Sequence, residues 1–394
     1  MGTSSFLVGY VFLMVIHYGV NGREIRSRDE YLELDRQTDL LNNSIIKTFQ
    51  NKAGDIINCV DIHKQPAFAH PLLKNHKLQM RPSSTPKGSV SKYTRTARRG
   101  VKCPKGSVPI RRISDKDLIK AKSFLESFGT SIHPSTAITP GKHVAIVRSK
   151  QDDPPLTYKG IFGTLQIYNP VVRIVNQSST SQMWIENGNN RLEVGWMVAP
   201  SLFGDTLSHE FMYWTAGPNK GCINLLCPGF IQTKNDYILG EAFERVSKYG
   251  DAKHQASFSY QIHQDYKTGH WWVSIPALLD TLYIGYWPKE IVPLLAGGAS
   301  RVSWGGSTMG IPNGKSPEMG SGYFPDGDFL HGSYISFMMV ADSDNYWIFP
   351  EEPKYHMEVV ADDTSCYNVK DYKNHEGTKM YSFNFGGPGG VCHR

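Results

Sequence analysis

Residues able to do chemistry concentrate in this chain between Leu192 and Pro228, and the first of them is Glu193. From Leu192 to Val198 the residues alternate, as in a strand that sends successive side chains to opposite faces. Leu192, Val194, Trp196 and Val198 share one face; Glu193, Gly195 and Met197 share the other. A carboxyl group beside a glycine that leaves room for an approaching chain suits the floor of a substrate groove, where it can take up or give a proton. The same pattern also describes an ordinary solvated glutamate. Alternation alone leaves both readings open.

Other chemistries have less support. Gly310 to Ser316 looks like a phosphate loop but has three residues between its glycines where that motif has four. Neither HExxH nor GxSxG occurs, and no second cysteine pair or histidine spacing makes a zinc site, so no metal or other cofactor is expected. Trp271-Trp272 and Tyr286-Trp287 can stack on sugar or proline rings, although one of each pair in a strand ordinarily faces the core.

The elements that must position Glu193 are mostly strands. Short segments with turn signals between them run from His143 to Phe385, among them Gln182 to Glu186, Leu192 to Val198, Phe211 to Thr215, Ala256 to His263, His270 to Ile275 and Arg301 to Trp304. With 37 Gly, 23 Pro, 20 Tyr, 18 Phe and 8 Trp, the composition favours turns and aromatic-rich strands. The expected fold is mainly β, a sandwich of antiparallel sheets, with neither a repeat nor strand–helix alternation. Ahead of it, Leu34, Leu41, Ile45 and Phe49 form a helical stripe, and Ser114 caps a helix carrying Leu118, Ala121, Leu125 and Phe128 that ends at Gly129.

Residues 1–22 lack charge and carry an apolar run from Phe6 to Ile16, which reads as a secretory signal peptide. Arg23 to Gly100 holds 15 Lys+Arg against 8 Asp+Glu, whereas the remainder is close to neutral. A near-neutral main domain argues against nucleic acid as partner, and no further apolar run suggests a membrane span. Pro82 to Gly106 reads as a linker, with Arg98-Arg99 a candidate processing site. The division is thus leader 1–22, N-terminal segment and linker 23–100, and main domain 101–394 with its core from about 136.

Six cysteines in an exported chain are best read as disulfides. Cys222 and Cys227 can close a small loop and Cys366 and Cys392 can tie the C-terminal strands, which leaves Cys59 and Cys103. Asn42 and Asn176 begin glycosylation sequons.

Longer blocks carry a resemblance. Ile56 to His76 (IINCVDIHKQPAFAHPLLKNH) resembles the activation-peptide signature of the plant neprosin family. Cys103 to Arg112, Glu193 to Trp196, Phe203 to Asp205, Tyr213 to Thr215, Gly221 to Phe230, Gly269 to Trp272, Gly285 to Pro288, Trp304 to Gly306 and Met319 to Phe324 resemble successive blocks of its main domain. The resemblance implies a secreted proprotein, in the extracellular space, cell wall or vacuole, with a β-sandwich glutamic endopeptidase that cleaves after proline at acid pH without a cofactor. It implies a proline-containing substrate and a propeptide that acts as an intramolecular inhibitor. Gln65-Pro66 and His70-Pro71 are expected in or beside the groove, with His63, His70 and His76 gaining charge in acid.

In that family two glutamates share the chemistry, one activating water and the other handling the carbonyl and protons. The first falls on Glu193. The second follows the Trp-Gly-Gly run, where this chain has Ser307, with Gly195, Met197 and Trp304 as groove candidates. A hydroxyl cannot exchange a proton at acid pH, and losing a general acid or base costs roughly 10²- to 10⁴-fold. Glu186, Glu210, Glu241 and Glu318 are the candidate substitutes. The competing reading is a non-catalytic extracellular module that binds proline-rich peptides or wall glycans.

Overall fold

The computed structural model describes residues 35–393 apart from 91–101, 131–138, 151–155, 278–280, 351–353, 374–380 and some isolated positions. The leader and Arg98-Arg99 lie outside the described residues. No helix among the described residues is long and apolar enough to cross a membrane.

Two antiparallel sheets form the body. The first has seven strands in the order β18 (Met357–Ala361), β4 (Lys142–Ser149), β14 (Arg301–Met309), β6 (Ser178–Asn187), β7 (Asn190–Val198), β8 (His209–Ala216) and β9 (Gly221–Ile223). The second has nine: β10 (Ile231–Gln232), β13 (Leu282–Trp287), β12 (Trp271–Ile275), β11 (Ser257–Gln264), β5 (Gly160–Gln166), β16 (Ser333–Ala341), β20 (Ser382–Gly386) and β19 (Asn368–Lys373), with β17 (Trp347–Ile348) paired to β16. A further pair joins β15 (Lys315–Ser316) to β21 (Gly390–Val391).

The sheets bury their alternating apolar faces against each other. Two tryptophans hydrogen-bond across the gap: Trp196 Nε1 donates to Gln166 O at 2.9 Å and Trp304 Nε1 to Phe162 O at 3.0 Å. Gly163 makes room for the second indole, because a Cβ there would lie 3.1 Å from the Trp304 ring. Trp304 is therefore a core residue and not part of a groove. Trp271 and Trp287 also face the core side, whereas Trp272 and Tyr286 face outward on the nine-stranded sheet.

The N-terminal segment forms its own three-stranded sheet of β1 (Ile45–Gln50), β2 (Ile56–Asp61) and β3 (Ser107–Arg111). The helical stripe through Ile45 and Phe49 is thus corrected to an edge strand: Ile45, Ile46 and Thr48 are β-branched, and the ladder to β2 satisfies the backbone. The boundary at residue 100 is also corrected. β3 pairs with β2, and Cys59 is bonded to Cys103, so residues 103–111 belong to the N-terminal unit. Cys222–Cys227 and Cys366–Cys392 are the other two disulfides.

The helix α1 spans Asp115–Thr130, one residue beyond Gly129. Its capping box forms as the sequence predicts, with Ser114 N donating to Asp117 Oδ2 at 2.9 Å and Asp117 N to Ser114 Oγ at 3.3 Å. Ala121 and Phe124 pack on Met197, Phe211, Tyr213 and Ile223, so α1 lies on the outer face of the seven-stranded sheet.

From β2 onward the chain becomes a strap over the outer face of the other sheet. Gln65 Nε2 donates to Gln232 O on β10 at 3.0 Å, and Gln232 N to Gln65 Oε1 at 2.8 Å. His76 meets Tyr286 on β13, Gln79 and Ser83 reach Asp265 after β11, and Val90 packs with Phe162 and Trp347. Gln65-Pro66 and His70-Pro71 therefore dock away from the Glu193 face. Ring contact between His70 and Trp214, a residue of the opposite strand parity from Glu193, agrees with this.

Candidate active site

Glu193 lies on the outer face of β7 and is fully buried, so it is not a solvated surface charge. Strand register builds its surroundings. Ser303, Trp184, Glu193 and Tyr213 form one row across β14, β6, β7 and β8. The adjacent row on the same face is Arg301, Glu186, Arg191 and Thr215.

Arg191 organises the charges. Its Nε lies 2.7 Å from Glu193 Oε1, its NH1 3.9 Å from Glu186 Oε2, and its guanidinium stacks 4.3 Å from the Trp184 ring centre. Arg301 NH1 lies 3.4 Å from Glu186 Oε1. Burial pushes the Glu193 carboxyl above the usual range, against the opposing pull of Arg191 and Lys142. Burial, then the Arg191 charge, brings the Lys142 ammonium down to about 7. Burial and the Glu193 charge push the Tyr213 phenol up.

Several buried polar atoms on this face have no hydrogen-bond partner among the described residues: Trp184 Nε1, Ser303 Oγ, Arg301 Nε, Gln182 Oε1 and Glu193 Oε2. Buried polar groups are ordinarily paired.

Ser307 is not the residue facing Glu193. It pairs with Thr180 and, through β6, aligns with Met197, four residues along β14 from Ser303 and so roughly 13 Å further along the strand. The residue in the Glu193 row is Ser303. Gly195 is also reassigned: a Cβ there would lie 2.1 Å from Ser181 O, so the missing side chain admits strand β6 and not a substrate. Met197 shares the Glu193 face but lies under α1.

Among the candidate substitutes, Glu186 alone joins the Glu193 network. Glu210 is buried between the sheets, bonded to the Tyr237 and Tyr260 hydroxyls. Glu241 accepts from Asn51 Nδ2, and Glu318 from Val171 N. Arg191, Trp184 and Ser303 were absent from the sequence-based site. Arg191 had a signal, since a residue two before Glu193 must share its face; Trp184 and Ser303 needed the register. Of the sequons, Asn176 is exposed, while Asn42 Nδ2 donates to Ile113 O at 3.0 Å.

His143, Asp363 and Cys392 come together elsewhere, but Cys392 is held in a disulfide and cannot supply a thiolate to a metal.

The chain matches the Neprosin family over residues 175–388 and the Neprosin activation peptide over residues 48–152. It is also similar to scytalido-glutamic peptidase bound to a transition-state analogue inhibitor, at 9% identity and a TM-score of 0.34, covering 64% of this chain and 99% of that one. A second similar structure is SCP-B, an eqolisin-family peptidase in complex with the tripeptide Ala-Ile-His, at 8% identity and a TM-score of 0.31, covering 64% and 99%. The Neprosin match spans more than half of the sequence and overlies both sheets, and the chain belongs to the Neprosin family.

Proposed function

We propose that this chain is an exported Neprosin-family protein that binds proline-containing peptides at the Glu193 face and hydrolyses them slowly or not at all. One observation carries the reading: the residue across Trp184 from Glu193 is Ser303 and not a carboxylic acid. Peptide hydrolysis at acid pH needs one group to take a proton from water as it attacks the carbonyl carbon. Another must give a proton to the leaving nitrogen. Glu193 can fill the first role, with its proton affinity raised by burial. The Ser303 hydroxyl can hydrogen-bond to the carbonyl oxygen but cannot deliver a proton, and the loss corresponds to roughly 10²- to 10⁴-fold in rate.

Binding does not need that proton. Trp184 Nε1, Ser303 Oγ and Arg301 Nε can donate to peptide carbonyls, while Glu193 Oε2 and Gln182 Oε1 can accept from peptide N–H groups. Preference for proline and acid pH comes from the family resemblance. Export rests on the uncharged leader and on the three disulfides, which suit the extracellular space, wall or vacuole.

A second reading has one specific observation behind it. Arg191 touches both Glu193 and Glu186, so Glu186 is placed to act as a second carboxyl. Incubating the protein, freed of its activation segment, with a fluorescent proline-containing peptide at acid pH separates the two. Binding by anisotropy with little cleavage by mass spectrometry is expected, with binding weakened in Glu193→Gln. Rapid cleavage abolished equally by Glu193→Gln and Glu186→Gln supports the second reading and contradicts the first.

A further inference from the structure

The strap crosses the nine-stranded sheet through two polar clusters of opposite character. At the first, the His76 ring lies 5.1 Å from that of His270, and both contact Tyr286. His76 Nε2 is 2.8 Å from Tyr286 OH, which also accepts from Gln79 N at 3.0 Å. His270 Nδ1 accepts from Lys289 N at 3.2 Å, so this nitrogen carries no proton in the docked state. At the second, the buried Asp265 carboxylate receives Gln79 Nε2 at 2.9 Å, Ser83 N at 2.8 Å, Ser83 Oγ at 2.7 Å and Ser84 Oγ at 2.5 Å.

We propose that the His76–His270 contact is an acid latch: protonating the two imidazoles drives the strap around His76 off the sheet while Ser83 and Ser84 stay tied to Asp265. Two imidazolium ions at ring-contact distance repel each other. Protonation of His270 Nδ1 also removes the acceptor for Lys289 N. The facing charges do not reverse this. Glu290 favours the protonated form of both rings, Asp265 favours it for His270, and Lys289 opposes it there. Burial outweighs them all, lowering His76 and bringing His270 down to about 4.

The sign follows. Each docked imidazole binds its proton less readily than a free one, whose pKa is about 6.5, so the lifted state gains protons as pH falls below that value. For His270 this window runs from about pH 6.5 to 4, over which the lifted population rises up to about tenfold per pH unit, and His76 acts in the same direction. Hydrogen bonds hold the Asp265 carboxyl well below the usual range despite its burial, so that anchor outlasts the latch. Acid therefore peels the strap from one end. The inference goes beyond the proposed function and does not depend on whether the Glu193 face cleaves peptides.

The test is hydrogen exchange of the full chain at pH 7 and pH 4, corrected for intrinsic rates, read by mass spectrometry for residues 73–78 and 82–86. At least tenfold faster exchange of 73–78 at pH 4, with 82–86 still protected, is expected. His76→Gln with His270→Gln should remove most of that pH dependence, and His76→Lys, with its fixed charge, should lift residues 73–78 at pH 7. Equal protection at both pH values overturns the latch, as does an unchanged pH dependence in the double variant or a fully protected His76→Lys at pH 7.

Discussion

Arg191 and Glu193, two residues apart on one strand, form a buried ion pair with Nε 2.7 Å from Oε1. Their spacing gives them the same face of β7, and the stack of the guanidinium on Trp184 fixes the direction of approach.

Removing one partner leaves the other buried and uncompensated. Arg191→Met is expected to lower unfolding stability by roughly 3–5 kcal/mol. Arg191→Met with Glu193→Leu, which removes both charges, is expected to lie closer to wild type than Arg191→Met alone. Denaturant unfolding of the four proteins of this cycle checks it, and additive losses contradict the pairing.

Cleavage at Arg98-Arg99 cuts the sequence between Cys59 and Cys103, which are bonded to each other. A chain cut only there is therefore expected to run as one species on a non-reducing gel and as two after reduction. Separation without reductant contradicts the disulfide. The helix α1 lies on the C-terminal side of this cut and stays on the sheet beside Glu193.

His263 is fully buried, and neither ring nitrogen has a hydrogen-bond partner among the described residues. Burial lowers its pKa to about 4, so the unfolded chain takes up the proton first as pH falls. Its contribution is complete above about pH 6.5 and lost progressively toward 4, a change of roughly 3 kcal/mol. Unfolding midpoints of wild type and His263→Leu, measured from pH 7 to 4, are expected to show the smaller acid loss in the variant. Parallel curves contradict the assignment.

Much of the sandwich was legible because alternation is a local property: Leu192 to Val198 and Ser257 to His263 fall in strands as their patterns require. The capping box at Ser114 and Asp117 was legible for the same reason. Ile45 to Gln50 was not, since its apolar spacing fits a helix and only the ladder to β2 makes it a strand. Register is set by pairing between distant strands, so choosing Ser303 over Ser307, which share a face, lay beyond parity. Parity alone puts Trp304 on the face opposite Ser303, which is the core side. Gly195 read as open space because the nearness of β6 is also a matter of pairing.

If Ser303 marks the place of a missing proton-sharing partner of Glu193, a carboxyl group put there restores cleavage. The direct measurement is peptide cleavage at acid pH, by mass spectrometry, for wild type, Ser303→Glu and Ser307→Glu, each freed of its activation segment. Ser303→Glu is expected to cleave at least roughly 10²-fold faster than wild type, with this gain lost when Glu193→Gln is added and with Ser307→Glu staying near wild type. Gain of cleavage in Ser307→Glu and not in Ser303→Glu would contradict that placement of the partner.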